Sequence, residues 1–432
     1  MLKIGLVYGH VASNFGDLCI NKGVASIIKE LYPNSRLHVV IRNPNKVYLD
    51  NAKRSFEHFK GINLFYFETP TGVNENITLL RKYINNPVSF LIDTGLIDCD
   101  IILSNSGEFL FSYKCDPRLD LLWRVIPAFA SKSKGIKFLT FPSTLGPFET
   151  KEGSDLVKSY LSLNDAYSVR DKKSMSLVSD LNIQSTPVLL DPAFFIKDYK
   201  KFNPVDKYNI PRIGVIMRLE EFGIRVGGKR SSANYRNFKK NNFKSSQSFQ
   251  ITYNLAKEFI RNMNGTVDIF VQTRYDYDLA KSVQKLITEE GLGESINLIE
   301  PSSIEEYVGF LSKTEMVVSS RFHGCILSLL AGSIPLGIYF DSHGHKIPGL
   351  YEMLGISDYC IRANGKSTNY IIDKFQTIYN NRLSILNMVK EELNRLRKDT
   401  LSWVQENFES KTARIDYNKY KIYFINYLDQ IK

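Results

Sequence analysis

Residues 316–340 read Met-Val-Val-Ser-Ser-Arg-Phe-His-Gly-Cys-Ile-Leu-Ser-Leu-Leu-Ala-Gly-Ser-Ile-Pro-Leu-Gly-Ile-Tyr-Phe, a pattern that few folds accommodate. Residues 316–318 form a short apolar run of the kind that fills a buried parallel strand. Residues 325–331 read as a buried helix, with Gly332 placed to cap its end and Pro335 just beyond. Residues 336–340 are a second apolar strand, so the stretch predicts one βαβ unit. Ser319, Ser320, Arg321 and His323 then fall in the turn between strand and helix, at the carboxyl edge where open α/β sheets bind ligands. The N–H groups of a helix N-terminus attract anions, and the guanidinium of Arg321 is a planar fork suited to phosphate or carboxylate. His323 has a solution pKa suited to proton transfer near neutrality. An Arg-x-His pair in a loop is also commonly just solvated or hydrogen-bonded. The strand end, the helix start and the downstream His343, His345 and Lys346 favour a site.

The rest of the chain repeats this alternation. Strands are predicted at 3–9, 36–42, 62–68, 100–105, 137–141 and 166–169, then at 212–219, 267–272 and 296–299. Helices lie between them at 18–31, 117–131, 154–163, 249–262, 276–289 and 303–311, and two more follow at 367–397 and 401–432. Strands alternating with helices of this length predict α/β architecture with mostly parallel, doubly wound sheets. A chain of 432 residues is long enough for two such domains, each with its own core. The expected division is 1–200 and 201–398, with a polar linker at 197–211 and helices 399–432 packing back on the first domain.

Several loops carry candidate chemistry. His10-Val-Ala-Ser-Asn14-Phe-Gly16-Asp17 opens at the end of the first strand. Asn14 and Asp17 suit helix caps, and equally a loop facing a ligand. The loop lacks the G-x-G-x-x-G spacing of a dinucleotide fingerprint. Glu108 and Arg170 also sit at strand ends, where an ion pair or a cap is the plainer reading. Residues 222–244 hold Arg225, Lys229, Arg230, Arg236, Lys239, Lys240 and Lys244 with no acid. A loop this long is either a solvated basic surface or a clamp over an anionic substrate. The net charge of +11 and pI near 9.1 point the same way, to an anionic partner. Five scattered cysteines without a C-x-x-C pair suit reduced thiols and argue against a structural zinc site. The N-terminus reads as a strand rather than a signal peptide, and no apolar run of about 18 residues predicts a membrane span. A cytoplasmic protein is the expectation.

Taken together, separated stretches resemble the polysaccharide pyruvyl transferase family in the family's order. These are Asn14-Phe-Gly16-Asp17, Ser106-Gly107-Glu108, Pro142-Ser-Thr-Leu-Gly146-Pro147, Ser168-Val-Arg170-Asp171, Asp191-Pro192, Arg218, and Ser319 to His323 with the later Lys346. The resemblance implies a glycosyltransferase-B-like fold, two Rossmann-like domains facing across a cleft. It implies phosphoenolpyruvate as donor and a hydroxyl pair on a sugar as acceptor, joined as a pyruvate ketal. The acceptor sugar belongs to a polysaccharide or to its lipid- or nucleotide-linked precursor. On this reading Arg218, Arg321, Ser319 and Lys346 hold the donor, and His323 is the acid or stabilises the departing phosphate. Asp17 orients or deprotonates the acceptor, and Asn14, Gly16, Glu108, Arg225, Lys229 and Arg230 lie on the acceptor side. No metal cluster is visible, and no cofactor is expected beyond the co-substrate.

The basic loop would suit a lipid-diphosphate-linked acceptor and a peripheral contact with the inner face of the membrane. Nucleic acid is not the expected partner, because only Phe222, Tyr235, Phe238 and Phe243 interleave the cations. One stretch departs from the family, which often has a Gly-Gly-Gly turn where this chain has Ser104-Asn-Ser-Gly107-Glu. The main rival is a nucleotide-sugar glycosyltransferase of the same architecture. Such an enzyme would usually hold the ribose with an acid in the helix after the basic turn, and residues 325–331 contain none. A protein that only binds anionic lipid or nucleic acid through the basic loop is the remaining alternative.

Overall fold

The computed structural model describes residues 1–11, 14–112, 118–183, 186–196, 210–220 and 243–431, together with the backbone of 225–226 and 229–230. Nearly all of the expected linker 197–211 and most of the basic loop 222–244 lie outside the described residues. The chain divides into two units. The first comprises Met1–Ala12, Asp17–Phe195 and Leu396–Lys432, and the second comprises Ser13–Gly16 and Ile196–Arg395.

The first unit is built on seven strands: β1 (Lys3–Val7), β2 (Arg36–Arg42), β3 (Ile62–Phe67), β4 (Ile101–Ser104), β5 (Glu108–Ser112), β6 (Lys137–Phe148) and β7 (Ala166–Val169). Their order is β3-β2-β1-β4-β6-β5, with β7 also paired to β6, and every pairing is parallel. Apart from β4, which runs through a short turn into β5, the strands are followed by helical crossovers, and the central strands read as continuous apolar runs. All of β4 and all but the first residue of β1 are buried. Sequence reading missed β5, which follows β4 after only a three-residue turn, and cut β6 short at 141.

The unit is completed by the C-terminal segment. The Lys137 ammonium donates to the carbonyls of Asn407 and Phe408 at 2.9 and 2.6 Å, satisfying the end of the long helix Thr368–Glu409. Phe129 stacks on Tyr417 at 5.1 Å and meets Phe424 edge-on at 5.2 Å. The break expected near 398–400 is absent. No Gly or Pro stands there, and Thr400 bonds back to the Leu396 carbonyl within the helix.

The second unit holds β8 (Arg212–Ile216), β9 (Arg225–Val226), β10 (Lys229–Arg230), β11 (Thr266–Phe270), β12 (Ile296–Ile299), β13 (Met316–Ser319), β14 (Ile334–Tyr339) and β15 (Cys360–Arg362). β9 and β10 form a separate antiparallel ribbon. The remaining six make a parallel sheet in the order β12-β11-β8-β13-β14-β15. Numbered by appearance, that is the doubly wound order 3-2-1-4-5-6, which reverses between β8 and β13. Both units are therefore parallel-sheet α/β domains, the fold class expected.

One boundary is corrected with consequences for chemistry. The helix after β13 spans Phe322–Leu330, three residues earlier than the expected start. Arg321 is extended (φ −109°, ψ 125°) and acts as its N-cap, and Cys325 N–H already donates to the Arg321 carbonyl at 3.0 Å. His323 and Gly324 consequently stand in the first helical turn rather than in the loop before it.

Candidate functional site

The reversal between β8 and β13 opens a crevice at the carboxyl ends of these strands, and the polar groups of the second unit gather there. Beyond β8, the Arg218 N–H donates to Ser320 Oγ at 2.8 Å, while Ser320 N–H donates to the Ile216 carbonyl at 2.9 Å. The Ser319 hydroxyl both accepts from Arg321 N–H (3.1 Å) and donates to the Arg321 carbonyl (3.0 Å), which fixes the turn. Gly324 lets the helix begin this close to the sheet, since a Cβ there would stand 2.5 Å from Ser319 Oγ.

The Arg321 guanidinium is 8% exposed and is held by Asp276 and by Thr273 Oγ1 at 3.2 Å. The second carboxylate oxygen of Asp276 accepts Thr273 N–H at 3.1 Å. A buried carboxylate thus answers and orients this cation from one side. His323, buried in the first turn, packs edge-on against Phe322 at 5.1 Å.

The segment 13–16 belongs to this unit as well. Asn14 Oδ1 accepts from Gly16 N–H and from Gln272 Nε2, each at 3.1 Å. Phe15 stacks on Tyr307 at 5.6 Å, and the Tyr307 hydroxyl donates to Gln272 Oε1 at 3.4 Å. Gly16 lies against His323 with no room for a side chain.

His343 is buried and faces the Leu219 carbonyl through Nε2 at 3.4 Å. Burial first, and then Arg218, hold its pKa well below the ordinary imidazole value, with Arg321 and Lys346 adding to the effect. Lys346 begins the helix Lys346–Met353. Cys325 is not a nucleophile here, because burial pushes its thiol up to about 11.

In the first unit, Asp17 is half-buried in the first turn of the helix Phe15–Leu31, where a carboxylate is favourable to the helix dipole. Glu108 is the exposed first residue of β5. At the reversal between β1 and β4, His10 Nε2 meets the Ser106 carbonyl at 2.9 Å. Asn21 joins the His10 backbone to Asn105, with bonds of 2.9–3.0 Å. Other resembling motifs form a buried scaffold. Arg170 pairs with Asp191 and donates through Nε to Thr144 Oγ1 at 2.9 Å, and Asp171 caps the helix Lys172–Asp180 through Ser174 N–H at 2.7 Å.

Arg218, Ser319, Arg321, His323 and Lys346 thus all belong to the second unit, together with Asn14 and Gly16, whereas Asp17 and Glu108 belong to the first. Arg225, Lys229 and Arg230 are described only as backbone of the β9–β10 ribbon. Sequence reasoning missed Asp276 and Gln272 and gave His343 no role. The place of His343 just after β14, on the same carboxyl edge, was the available signal. Among the described residues, no group of three or more His, Cys, Asp or Glu is arranged to hold a metal ion, and no helix is long and apolar enough to cross a membrane.

The polysaccharide pyruvyl transferase family profile matches residues 14–333, a span that contains both the 14–17 turn and the 319–323 motif. Several solved structures share the fold. UDP-GlcNAc 2-epimerase from Neisseria meningitidis, bound to UDP-GlcNAc, is 13% identical with a TM-score of 0.57, over 94% of this chain and 99% of that one. UDP-GlcNAc 2-epimerase from Methanocaldococcus jannaschii is 11% identical with a TM-score of 0.54, over 88% and 93%. A glycosyltransferase from Rickettsia africae is 12% identical with a TM-score of 0.53, over 100% and 98%. At such identities the likeness is one of fold. No curated protein matches the chain.

Proposed function

The chain belongs to the polysaccharide pyruvyl transferase family, and on that premise we propose that it moves a pyruvyl group from phosphoenolpyruvate onto a sugar, closing a pyruvate ketal. The sugar is part of a polysaccharide or of its lipid- or nucleotide-linked precursor. The observation that carries this reading is the placement of Arg218 and Arg321 at the β8–β13 reversal, where the Arg218 backbone is tied to Ser320 and Arg321 is the N-cap of the helix Phe322–Leu330. Phosphoenolpyruvate carries a carboxylate and a phosphate on the same carbon, and cations with helix N–H groups suit that charge.

The chemistry balances without a further cofactor. His323 gives a proton to the enol methylene, which becomes the ketal methyl group, as C2 gains oxocarbenium character. One acceptor hydroxyl forms a C2–O bond. The C2–O bond to phosphate breaks, the electron pair leaves with phosphate, and the second hydroxyl closes the ring. Of the two hydroxyl protons, one replaces that given to the methylene and the other leaves with phosphate. Arg218, Arg321, Ser319 and Lys346 hold the donor, and Asp17 orients or deprotonates the acceptor. Asn14, Gly16, Glu108, Arg225, Lys229 and Arg230 are assigned to the acceptor. The reading goes with a cytoplasmic enzyme, at the inner membrane face where the acceptor is lipid-diphosphate-linked.

The helix Phe322–Leu330 contains no acid to grip a ribose, which disfavours a nucleotide-sugar donor. The test is ligand-dependent melting with phosphoenolpyruvate beside UDP-, GDP- and CMP-sugars. Phosphoenolpyruvate at a hundred times its dissociation constant is expected to add about 2.7 kcal/mol. Stabilisation by a nucleotide sugar alone would transfer the assignment to the glycosyltransferases.

A further inference from the structure

The reaction as written above leaves unused the loop that follows β1, which the first unit holds from several sides. Tyr8 stands at φ 65°, a left-handed conformation that a bulky residue keeps only where its surroundings impose it. Its hydroxyl donates to the Arg124 carbonyl at 2.6 Å, and its own carbonyl accepts from Asn105 Nδ2 at 3.2 Å. The next N–H, that of Gly9, donates to the Val40 carbonyl at 3.1 Å. The His10 N–H donates to Asn21 Oδ1 at 3.0 Å, and the His10 carbonyl accepts from Asn21 Nδ2 at 2.9 Å. Asn105 Nδ2 donates to the same Asn21 oxygen at 3.0 Å. Asn21 and Asn105 are wholly buried, and a buried amide is costly unless its bonds are made. Both are committed here to holding the backbone of residues 8–10.

What this frame presents is the imidazole of His10. Its Nε2 meets the Ser106 carbonyl at 2.9 Å. A carbonyl oxygen only accepts, so in the neutral ring the proton sits on Nε2 and Nδ1 carries a lone pair. Among the described residues no hydrogen bond reaches Nδ1, and in this half-buried ring the atom is open rather than sealed. Gly107, at φ 154°, flanks the ring with bare backbone, since a Cβ there would stand 3.4 Å from Cε1. The ring lies where β1 and β4 diverge, at the carboxyl edge where open parallel sheets take their ligands. A lone pair there accepts from a donor. Phosphate and carboxylate oxygens have no proton to give when ionised, whereas a sugar hydroxyl does.

We propose that His10 is a sugar-binding residue whose Nδ1 accepts a hydrogen bond from a hydroxyl of a neutral sugar at the β1–β4 reversal. That this sugar is the pyruvyl acceptor rests on the proposed function, but the subsite for a hydroxyl does not. Asp17 and Glu108, assigned above to the acceptor, belong to the same unit. His10 selects and orients in this role and transfers no proton. The fixed backbone matters because a ring held by Asn21, Asn105 and Ser106 loses little freedom when the sugar arrives. An anionic donor gains nothing from the same nitrogen, so the subsite separates the two substrates by chemistry.

The experiment combines ring-15N spectra with calorimetry on the full chain, using phosphoenolpyruvate and the methyl glycosides of galactose, glucose, mannose and N-acetylglucosamine as probes. Two variants separate binding from support. His10→Gln keeps an amide that reaches the Ser106 carbonyl but removes the acceptor at Nδ1, whereas His10→Asn keeps an amide oxygen near Nδ1 and gives up the Ser106 bond. In wild type at least one glycoside is expected to shift the Nδ1 resonance, and phosphoenolpyruvate is expected to leave it in place. The dissociation constant of that glycoside should rise by about 5–100-fold in His10→Gln and by less in His10→Asn. A purely structural His10 predicts the opposite order. If a variant does not fold, the wild-type spectra decide, with the other variant identifying the His10 signals. An Nδ1 resonance that no glycoside moves, one that phosphoenolpyruvate moves, or glycoside binding unchanged in His10→Gln overturns the inference. Pyruvyl transfer by an enzyme whose His10 senses no sugar overturns the inference and leaves the proposed function standing. A glycoside that binds at His10 but receives no pyruvyl group sustains the inference and counts against the proposed function.

Discussion

Gly16 and His323 are packed so closely that a Cβ on Gly16 would stand 2.6 Å from the Cβ of His323 and nearer still to ring atom Nδ1. The near atoms belong to the base of the imidazole and to the ring itself, so a methyl group there must displace the histidine bodily. Gly16→Ala is therefore expected to lower turnover by about 10–100-fold, since misplacing a reacting group by an ångström costs on that order. The double variant with His323→Gln is expected to lose no more than His323→Gln alone, because both changes act on one side chain. Additive losses would disconnect Gly16 from the histidine.

His323→Gln keeps the size and a hydrogen-bonding head but removes the titratable ring. Turnover is expected to fall by about 10²–10⁴-fold with the phosphoenolpyruvate dissociation constant nearly unchanged. Steady-state kinetics beside equilibrium binding separates the two quantities. Near-normal turnover would return His323 to a packing role.

Arg321 and Asp276 are buried together, with side chains 9% and 1% exposed. Asp276→Asn leaves the guanidinium without its counter-charge, and breaking a buried pair by removing one partner costs about 3–5 kcal/mol. Urea unfolding should show a lower midpoint at constant slope. A loss below about 1 kcal/mol would mean that Asp276 does not anchor Arg321.

Arg170 pairs with Asp191 at 2% and 1% exposure, remote in role from any ligand chemistry. Arg170→Met is expected to destabilise the protein by a similar 3–5 kcal/mol or so, with turnover per folded molecule unchanged. Loss of turnover in a fully folded variant would move Arg170 from scaffold to site.

The cations of the 222–244 loop are screened by salt over about 8–10 Å if they meet their partner at the surface. Replacing Arg225, Lys229, Arg230, Lys239 and Lys240 with Ser should weaken acceptor use with little change in donor binding. That effect is expected to shrink as salt rises. Acceptor kinetics like wild type at low salt would reduce the loop to a solvated surface.

The parts of this protein that were legible in its sequence share a cause. Local side-chain pattern marks the strands at 36–42, 166–169 and 296–299 to the residue, because each is a short run rich in apolar residues between helical segments. The helix at Phe322–Leu330 was started late because its N-cap is Arg321, whose side chain makes no capping bond. β5 was missed because it lies so close behind β4. Arg218 and Arg321 stood out as charges terminating apolar runs. Their partners did not, since Asp276 reaches Arg321 only once β11 and β13 are arranged around β8. The same holds for His343. Its neighbour across the sheet edge is the Leu219 carbonyl, more than a hundred residues earlier in the chain, and no local pattern carries that information.

The helix Thr368–Glu409 runs unbroken through the boundary at Leu396, so the first unit is finished by residues that follow the second unit in the chain. Arg397 holds Glu30 at 2.8 Å, Lys137 holds the helix end, and Tyr417 covers Phe129. A chain cut once near residue 196 would therefore leave the first unit without part of its own core. Exchange of one whole unit between members of this family by recombination needs two crossovers, one near residue 196 and one inside this helix. Single-crossover hybrids should accumulate as aggregates rather than as enzymes with mixed specificity.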